Sequence, residues 1–287
     1  MTDNSRLGLV LEGGGMRGIY TAGVLDEFLK EGIKFNAVIG VSAGILHAIS
    51  FVSEQYGRDA RYYVKYRNDP RFLSFRSLIR TGNICETEFC YHELPDKLAK
   101  FDYERFARNT SFTEVYSVCS NLENGQAEYI RIRDVKKEVD AIRASASLPL
   151  VSQIVNYKGM KLLDGGTCDS IPVKALENRG FDRNVVILTR PYGYVKKEDK
   201  SLSLMKHVYK NYPDYIEAAR TRHIRYNETL RYIDIRKVEG KVLPIYPSRD
   251  LNVSRSDKDI DKIKKLYKLG RFDAINMIDK VKEFCNA

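Results

Sequence analysis

The stretch Leu7–Val52 reads LGLVLEGGGMRGIYTAGVLDEFLKEGIKFNAVIGVSAGILHAISFV, and its punctuation decides the fold. Leu7 to Leu11 is a short apolar run that stops at a cluster of glycines. Apolar positions then recur at Ile19, Ala22, Val24, Leu25, Phe28 and Leu29, the spacing of one face of an amphipathic helix. Gly32 closes that helix, Phe35 to Ile39 form a second strand of the fully buried kind, and Gly40 breaks it before an apolar helix from Ile45 to Val52. Two consecutive strand-to-helix units predict parallel strands joined by helical crossovers.

Working outward, strands are expected at Glu114–Cys119, Glu128–Arg133, Lys161–Leu163 and Val185–Thr189, with helices around Val139–Ala146 and Val173–Asn178. This alternation predicts an α/β fold, a three-layer α/β/α sandwich with a mostly parallel central sheet. From about Ser201 the texture changes. Met205, Tyr209, Tyr212, Tyr215, Ile216, Ala219 and Tyr226 recur near helical spacing opposite a basic face, which predicts one or two long helices. Asp257 to Phe284 reads as a last helical pair split by Gly270. The expected division is an α/β domain over residues 1–200 and a helical C-terminal region over residues 201–287 packed on it.

With 43% hydrophobic residues in 287, the chain has enough apolar material for one large core. Five cysteines, an odd number without metal-ligand spacing, imply no disulfide framework and point to a reducing compartment. The polar start, Met1 to Arg6, has no signal core, and the most apolar window, Ala37–Val52, is too short to span a bilayer and carries Gly40, Gly44 and His47. The expected location is cytoplasmic, at most peripheral to the inner face of the membrane. A net charge of +10 favours an anionic partner and allows peripheral contact with anionic lipid, although a solvated basic surface accounts for it too. Neither zinc-finger spacing nor an aromatic RNA-binding signature is present, so no nucleic-acid partner is expected.

Chemistry enters at the glycine cluster, Gly13-Gly14-Gly15-Met16-Arg17-Gly18. Glycines between a strand and a helix let successive backbone N–H groups converge, and the helix N-terminus adds partial positive charge. A phosphate cradle for a dinucleotide, an oxyanion hole and a plain tight turn all fit that loop. A dinucleotide site wants an acidic residue at the end of the second strand. Gly40-Val41-Ser42-Ala43-Gly44 stands there instead, the G-x-S-x-G pattern of a nucleophile elbow in its strand-turn-helix setting.

A serine hydroxyl needs a base. The chain has four histidines: His47 follows Ser42 on the same helix but points well around it, His92 lies in a polar helix, and His207 and His223 fall in the C-terminal region. A late histidine completing a triad stays open. The stronger candidate is Asp164, in Leu162-Leu163-Asp164-Gly165-Gly166, a carboxylate at the end of an apolar strand where open parallel sheets place ligands. An Asp-Gly turn is the bland alternative.

The glycine loop, the elbow and the Asp-Gly-Gly motif, in this order, resemble the patatin-like phospholipase family, as does the small-residue segment Ala144-Ser145-Ala146-Ser147-Leu148-Pro149. The resemblance covers about Leu7 to Arg190. It implies a Ser-Asp dyad of Ser42 and Asp164, oxyanion-hole groups from Gly13, Gly14, Gly15, Arg17 and Gly18, an elbow framed by Gly40 and Gly44, and a motif completed by Gly165 and Gly166. It also implies an acyl ester or phospholipid substrate and neither metal nor organic cofactor. Glu12 stands where plant patatins have Asp, a departure expected to touch turn geometry. Against an acyl hydrolase stand a non-catalytic lipid- or ligand-binding protein on the same fold and a nucleic-acid module built on the basic helix from Lys206 to Arg236.

Overall fold

The computed structural model describes residues 6–286, so all of the N-terminal segment read above except Arg6 lies outside the described residues. Strand β1 (Leu7–Leu11), helix α1 (Ile19–Lys30), strand β2 (Ala37–Val41) and helix α2 (Ala43–Val52) follow the order expected from the sequence. Helices α3 (Arg58–Tyr66) and α4 (Phe75–Thr81), a wide helical turn at Phe89–Leu98 and helix α5 (Tyr103–Asn109) then lead to β3 (Glu114–Asn121) and β4 (Ala127–Ile132). After α6 (Val139–Ser145) come β5 (Val155–Tyr157), β6 (Met160–Asp164), α7 (Val173–Glu177) and β7 (Arg183–Ile187). The chain ends in α8 (Leu202–Val208), α9 (Pro213–Val238), β8 (Val242–Ile245) and α10 (Ile260–Asn286).

The strands form one sheet in the order β5-β6-β3-β2-β1-β7-β8, with β4 also paired to β3. Strands β1, β2, β3, β7 and β8 are mutually parallel, whereas β4, β5 and β6 pair antiparallel. Both faces of the parallel part are covered, which is why β1, β2 and β7 are continuous apolar runs rather than alternating ones. Leu9, Leu11 and Val38 face one layer containing α1, α2, α3 and α10; Val10, Ile39 and Val41 face the other, built from α7 and α9. The α/β/α sandwich is therefore present, and β8 adds an edge strand that the sequence reading did not contain.

The expected break at Gly270 is absent: α10 is one helix through Asn286. A Cβ on Gly270 would run into the Tyr20 carbonyl of α1 and come within 3.3 Å of the Gly23 Cα. The glycine thus serves close helix-helix approach rather than termination.

One feature of the strand pairing positions the chemistry. Strand β4 occupies one edge of β3 from Val115 to Ser120, so β2 and β6 must share the other edge. On that edge Val41 is opposite Val118 and Asp164 is opposite Cys119. Strand β2 runs toward this point and antiparallel β6 runs toward it from the opposite direction. Ser42, the next residue of the first, and Asp164, the last of the second, meet end to end.

Candidate active site

Ser42 sits between β2 and α2 with φ 56° and ψ −123°, a conformation that a residue bearing a Cβ adopts only when its surroundings impose it. Three glycines make the turn feasible. Any Cβ on Gly40 would overlap the backbone at Gly44–Ile45, one on Gly44 would lie 2.5 Å from the Leu11 carbonyl oxygen, and one on Gly13 would lie 2.9 Å from the Ser42 Cβ. The elbow, β1 and the glycine loop are thus packed backbone to backbone.

Asp164 is 4% exposed. One carboxylate oxygen, Oδ1, accepts the Gly166 amide at 2.8 Å, while Oδ2 is buried with no partner of good hydrogen-bond geometry. Burial raises the Asp164 pKa above the ordinary carboxylate value; the nearby Ser42 hydroxyl, Arg222, the Gly166 amide and Arg255 pull it back. The Ser42 hydroxyl is thus near enough to favour the charged carboxylate, without a well-formed bond to Oδ2.

The small-residue segment at the end of α6 supports both groups. Ser145 Oγ accepts the Ser42 amide at 3.0 Å, and the Ser147 carbonyl accepts the Asp164 amide at 2.8 Å. Ser120 Oγ donates to the Asp164 carbonyl at 2.8 Å and accepts the Cys168 amide at 3.1 Å. Gly165 has to lack a side chain because it passes directly over the Val118 carbonyl.

In the glycine loop, Gly15 has φ +56°, and a Cβ there would lie 2.5 Å from the Arg255 carbonyl oxygen, which accepts the Met16 amide at 2.9 Å. Among the described residues the Gly13, Gly14 and Gly15 amides donate to no protein acceptor. They remain available to an anion beside Ser42. Arg17 is buried, its Nε has no partner, and desolvation together with Arg190 and Arg255 lowers its pKa to about 10. Gly18 packs against Ala43 and His47. Glu12, also buried, accepts the Thr189 amide at 2.6 Å and the Tyr226 hydroxyl at 2.7 Å, so the longer acid ties the loop to α9.

Two of the four histidines are engaged elsewhere. His47 Nδ1 is 2.7 Å from Asp59 Oδ2, and His223 Nδ1 is 3.2 Å from the Arg220 carbonyl. His207 is exposed on α8, away from the residues that line the cavities at Ser42.

Two cavities meet at Ser42. One is apolar, walled by side chains such as Leu46, Ile49, Tyr63, Phe72, Leu94 and Ile142. The other is polar and holds Ser42, Asp164, the glycine loop, Arg17, Arg190, Lys196, Arg222 and Arg255. Sequence reasoning missed the last four as site residues. Arg222 left a readable signal: it continues the stripe of Tyr215, Ala218, Ala219 and Tyr226 on the buried face of α9, where a lone cation is out of place.

Comparison with known proteins places this geometry in context. A protein from Escherichia coli called uncharacterized protein YjjU is 27% identical over 93% of this chain and 75% of its own length. Lysophospholipase NTE1 of Lodderomyces elongisporus is 28% identical over 62% of this chain, which spans 12% of that much longer protein. The crystal structure of VipD from Legionella pneumophila superposes with a TM-score of 0.47 at 11% identity, covering 96% of this chain and 67% of that one. A domain of unknown function (DUF6363) matches residues 212–286. The model of the patatin-like phospholipases matches residues 9–177, from β1 through the elbow and Asp164 to the end of α7, more than half of the chain, and the protein therefore belongs to the patatin-like phospholipase family, whose chemistry is carboxylic ester hydrolysis.

Proposed function

We propose that the chain is a serine acyl hydrolase that cleaves fatty-acyl esters of lipids through a dyad of Ser42 and Asp164. The observation that carries this reading is the end-to-end meeting of β2 and β6 on one edge of β3, which brings a hydroxyl and a buried carboxylate together beside free glycine amides. The lysophospholipase name of the fungal relatives supports a lipid ester, and the apolar cavity opening at Ser42 offers an acyl chain a place to lie.

In the reaction, Asp164 takes the Ser42 proton as Oγ attacks the ester carbonyl, and the free amides of Gly14 and Gly15, with Arg17 behind them, hold the oxyanion. Collapse breaks the bond to the alcohol, which leaves with the proton from Asp164. Water then attacks the acyl-enzyme with Asp164 as base, the fatty acid leaves, and the proton returns to Ser42. Each step uses side chains and backbone of this chain. The residues matching the family model carry the chemistry, and residues 201–286 pack on them as a mainly helical region that reaches into the polar cavity.

Peripheral contact with anionic lipid stays a proposal, resting on fewer cations of α9. Among the basic residues of α9, Arg222 turns inward and Arg225 donates to the Thr167 and Ala218 carbonyls, so neither belongs to an outward membrane face. None of the described helices is long and apolar enough to cross a membrane.

Ser42→Ala tests the nucleophile: labelling by a fluorophosphonate and hydrolysis of a short-chain aryl ester should both vanish while thermal stability stays nearly unchanged. Labelling retained at another serine would sink the assignment.

A further inference from the structure

The polar cavity contains more positive charge than ester hydrolysis calls for. Arg17, Arg190, Lys196, Arg222 and Arg255 line it, against Glu12 and Asp164 as its carboxylates. Glu12 is already committed to Thr189 and Tyr226, and Asp164 accepts the Gly166 amide and faces Ser42. Arg190 has a distant ion pair with Asp250 at 3.8 Å. Among the described residues, Arg17, Lys196, Arg222 and Arg255 have no carboxylate within ion-pair reach. Arg17 is 8% exposed, and the Nε atoms of Arg17 and Arg222 are both buried without a hydrogen-bond partner.

Buried guanidinium nitrogens without partners, here the Nε atoms of Arg17 and Arg222, are costly, and like charges gathered around one cavity repel each other, the exposed Arg255 at its rim included. The repulsion registers on the groups themselves. Burial, then Arg222, Arg255 and Arg17, bring the Lys196 pKa down to about 7. An anion in the cavity would offset this repulsion, and the glycine loop, whose Gly13, Gly14 and Gly15 amides have no protein acceptor among the described residues, lines the same space.

We propose that this cavity is a phosphate pocket and that the preferred substrate is an acyl ester carrying a phosphomonoester headgroup. The inference rests on the hydrolase reading for the ester and on the cation cluster for the phosphate. An ester carbonyl at Ser42 has the apolar cavity on one side for its chain and the cationic cavity on the other for its head. A phosphomonoester carries close to two negative charges near neutrality and offers three acceptor oxygens, matching forked guanidinium donors. A choline head would bring a quaternary ammonium against the same cations. Two of the five cations, Arg222 and Arg255, come from the segment that matches a domain of unknown function, residues 212–286. That segment thereby acquires a role: it completes the headgroup side of the site.

The test compares kcat/KM for three esters of one chain length, 1-acyl-glycerol 3-phosphate, 1-acyl-glycerol-phosphocholine and 1-acyl-glycerol, and measures binding of glycerol 3-phosphate and of inorganic phosphate by calorimetry. The phosphomonoester should lead the neutral ester by about 100-fold or more, because buried donors left unpaired penalise a substrate lacking the acceptor. Taking the ratio within each protein cancels any effect of a substitution on Asp164. In Arg222→Gln that ratio should fall at least tenfold, and Lys196→Gln, an independent replacement on a different segment, should lower it too. Glycerol 3-phosphate should bind wild type and lose affinity in both variants; tighter binding of inorganic phosphate than of glycerol 3-phosphate would mean a free-phosphate site and overturn the headgroup assignment. Equal kcat/KM for the three esters, or a ratio unmoved by both substitutions, overturns the inference and leaves the hydrolase standing. Binding of glycerol 3-phosphate with no ester hydrolysed would instead overturn the hydrolase and keep the phosphate pocket.

Discussion

At the scale of single residues, Asp164 shows how burial and chemistry are linked. Its carboxyl is held above the ordinary carboxylate range chiefly by desolvation. Because its folded pKa lies above its unfolded one, the stabilising contribution belongs to the protonated form, is complete below the unfolded value of about 3.9, and is lost as pH rises through the folded value. In its ionised form the group therefore weakens the fold while serving as base. Asp164→Asn should accordingly lower kcat by orders of magnitude yet leave Tm equal or higher, and the acid limb of the wild-type kcat/KM profile should lie above the ordinary carboxylate range. His207→Gln and His223→Gln should stay within about tenfold of wild type. A histidine variant that falls as far as Asp164→Asn would establish a triad. The serine, the aspartate and the glycines were legible because they stand together at strand ends in recognisable patterns, the glycines where a Cβ would meet backbone. Lys196, Arg190 and Arg255 were not, since a sequence shows that a side chain is charged but not which way a loop turns it.

At the scale of elements, periodicity located the central helices and strands well, and it failed where a residue's local preference is overridden by packing. Gly270 reads as a helix breaker, yet it lies inside α10 because α10 crosses α1 there at Gly23. Strand β8, with Pro244 in it, was illegible because a short edge strand carries little pattern of its own and pairs with β7 far back in the chain. Two effects oppose each other in Gly270→Ala. Helix propensity favours alanine by about 1 kcal/mol, whereas the added methyl would collide with the Tyr20 carbonyl, and overpacking of that kind costs about 1–3 kcal/mol. The clash should win, so the urea midpoint should fall with an unchanged m-value. A variant more stable than wild type would show that α1 and α10 separate easily, and that the glycine pair is not what sets their approach.

At the scale of the whole molecule, the question is whether residues 201–287 are a separate unit or part of one. The boundary near residue 200 was read from a change of texture, and the two family models fall on either side of it, at 9–177 and 212–286. The contacts cross it repeatedly. The Tyr20 hydroxyl of α1 donates to Asp273 of α10 at 3.1 Å, and the Tyr267 hydroxyl of α10 donates to Asp26 of α1 at 2.7 Å. The Tyr226 hydroxyl donates to Glu12 beside the glycine loop, the Arg255 carbonyl accepts the Met16 amide within that loop, and β8 extends the sheet through β7. Apolar side chains of α10, among them Ile263, Leu266 and Val281, belong to the same buried cluster as Leu9 and Val38 of the central strands. Exposing that cluster by detaching the C-terminal helices would cost roughly 1.5–3 kcal/mol for each large apolar side chain bared, so a state with the first two-thirds folded and the last third released should not be populated. Urea unfolding followed by far-ultraviolet dichroism, by tyrosine fluorescence and by loss of ester hydrolysis should therefore give one midpoint for all three signals. Activity lost at lower urea than the bulk of the helix would mean that the C-terminal region comes away first, and that the sheet and dyad outlast the part that furnishes Arg222 and Arg255.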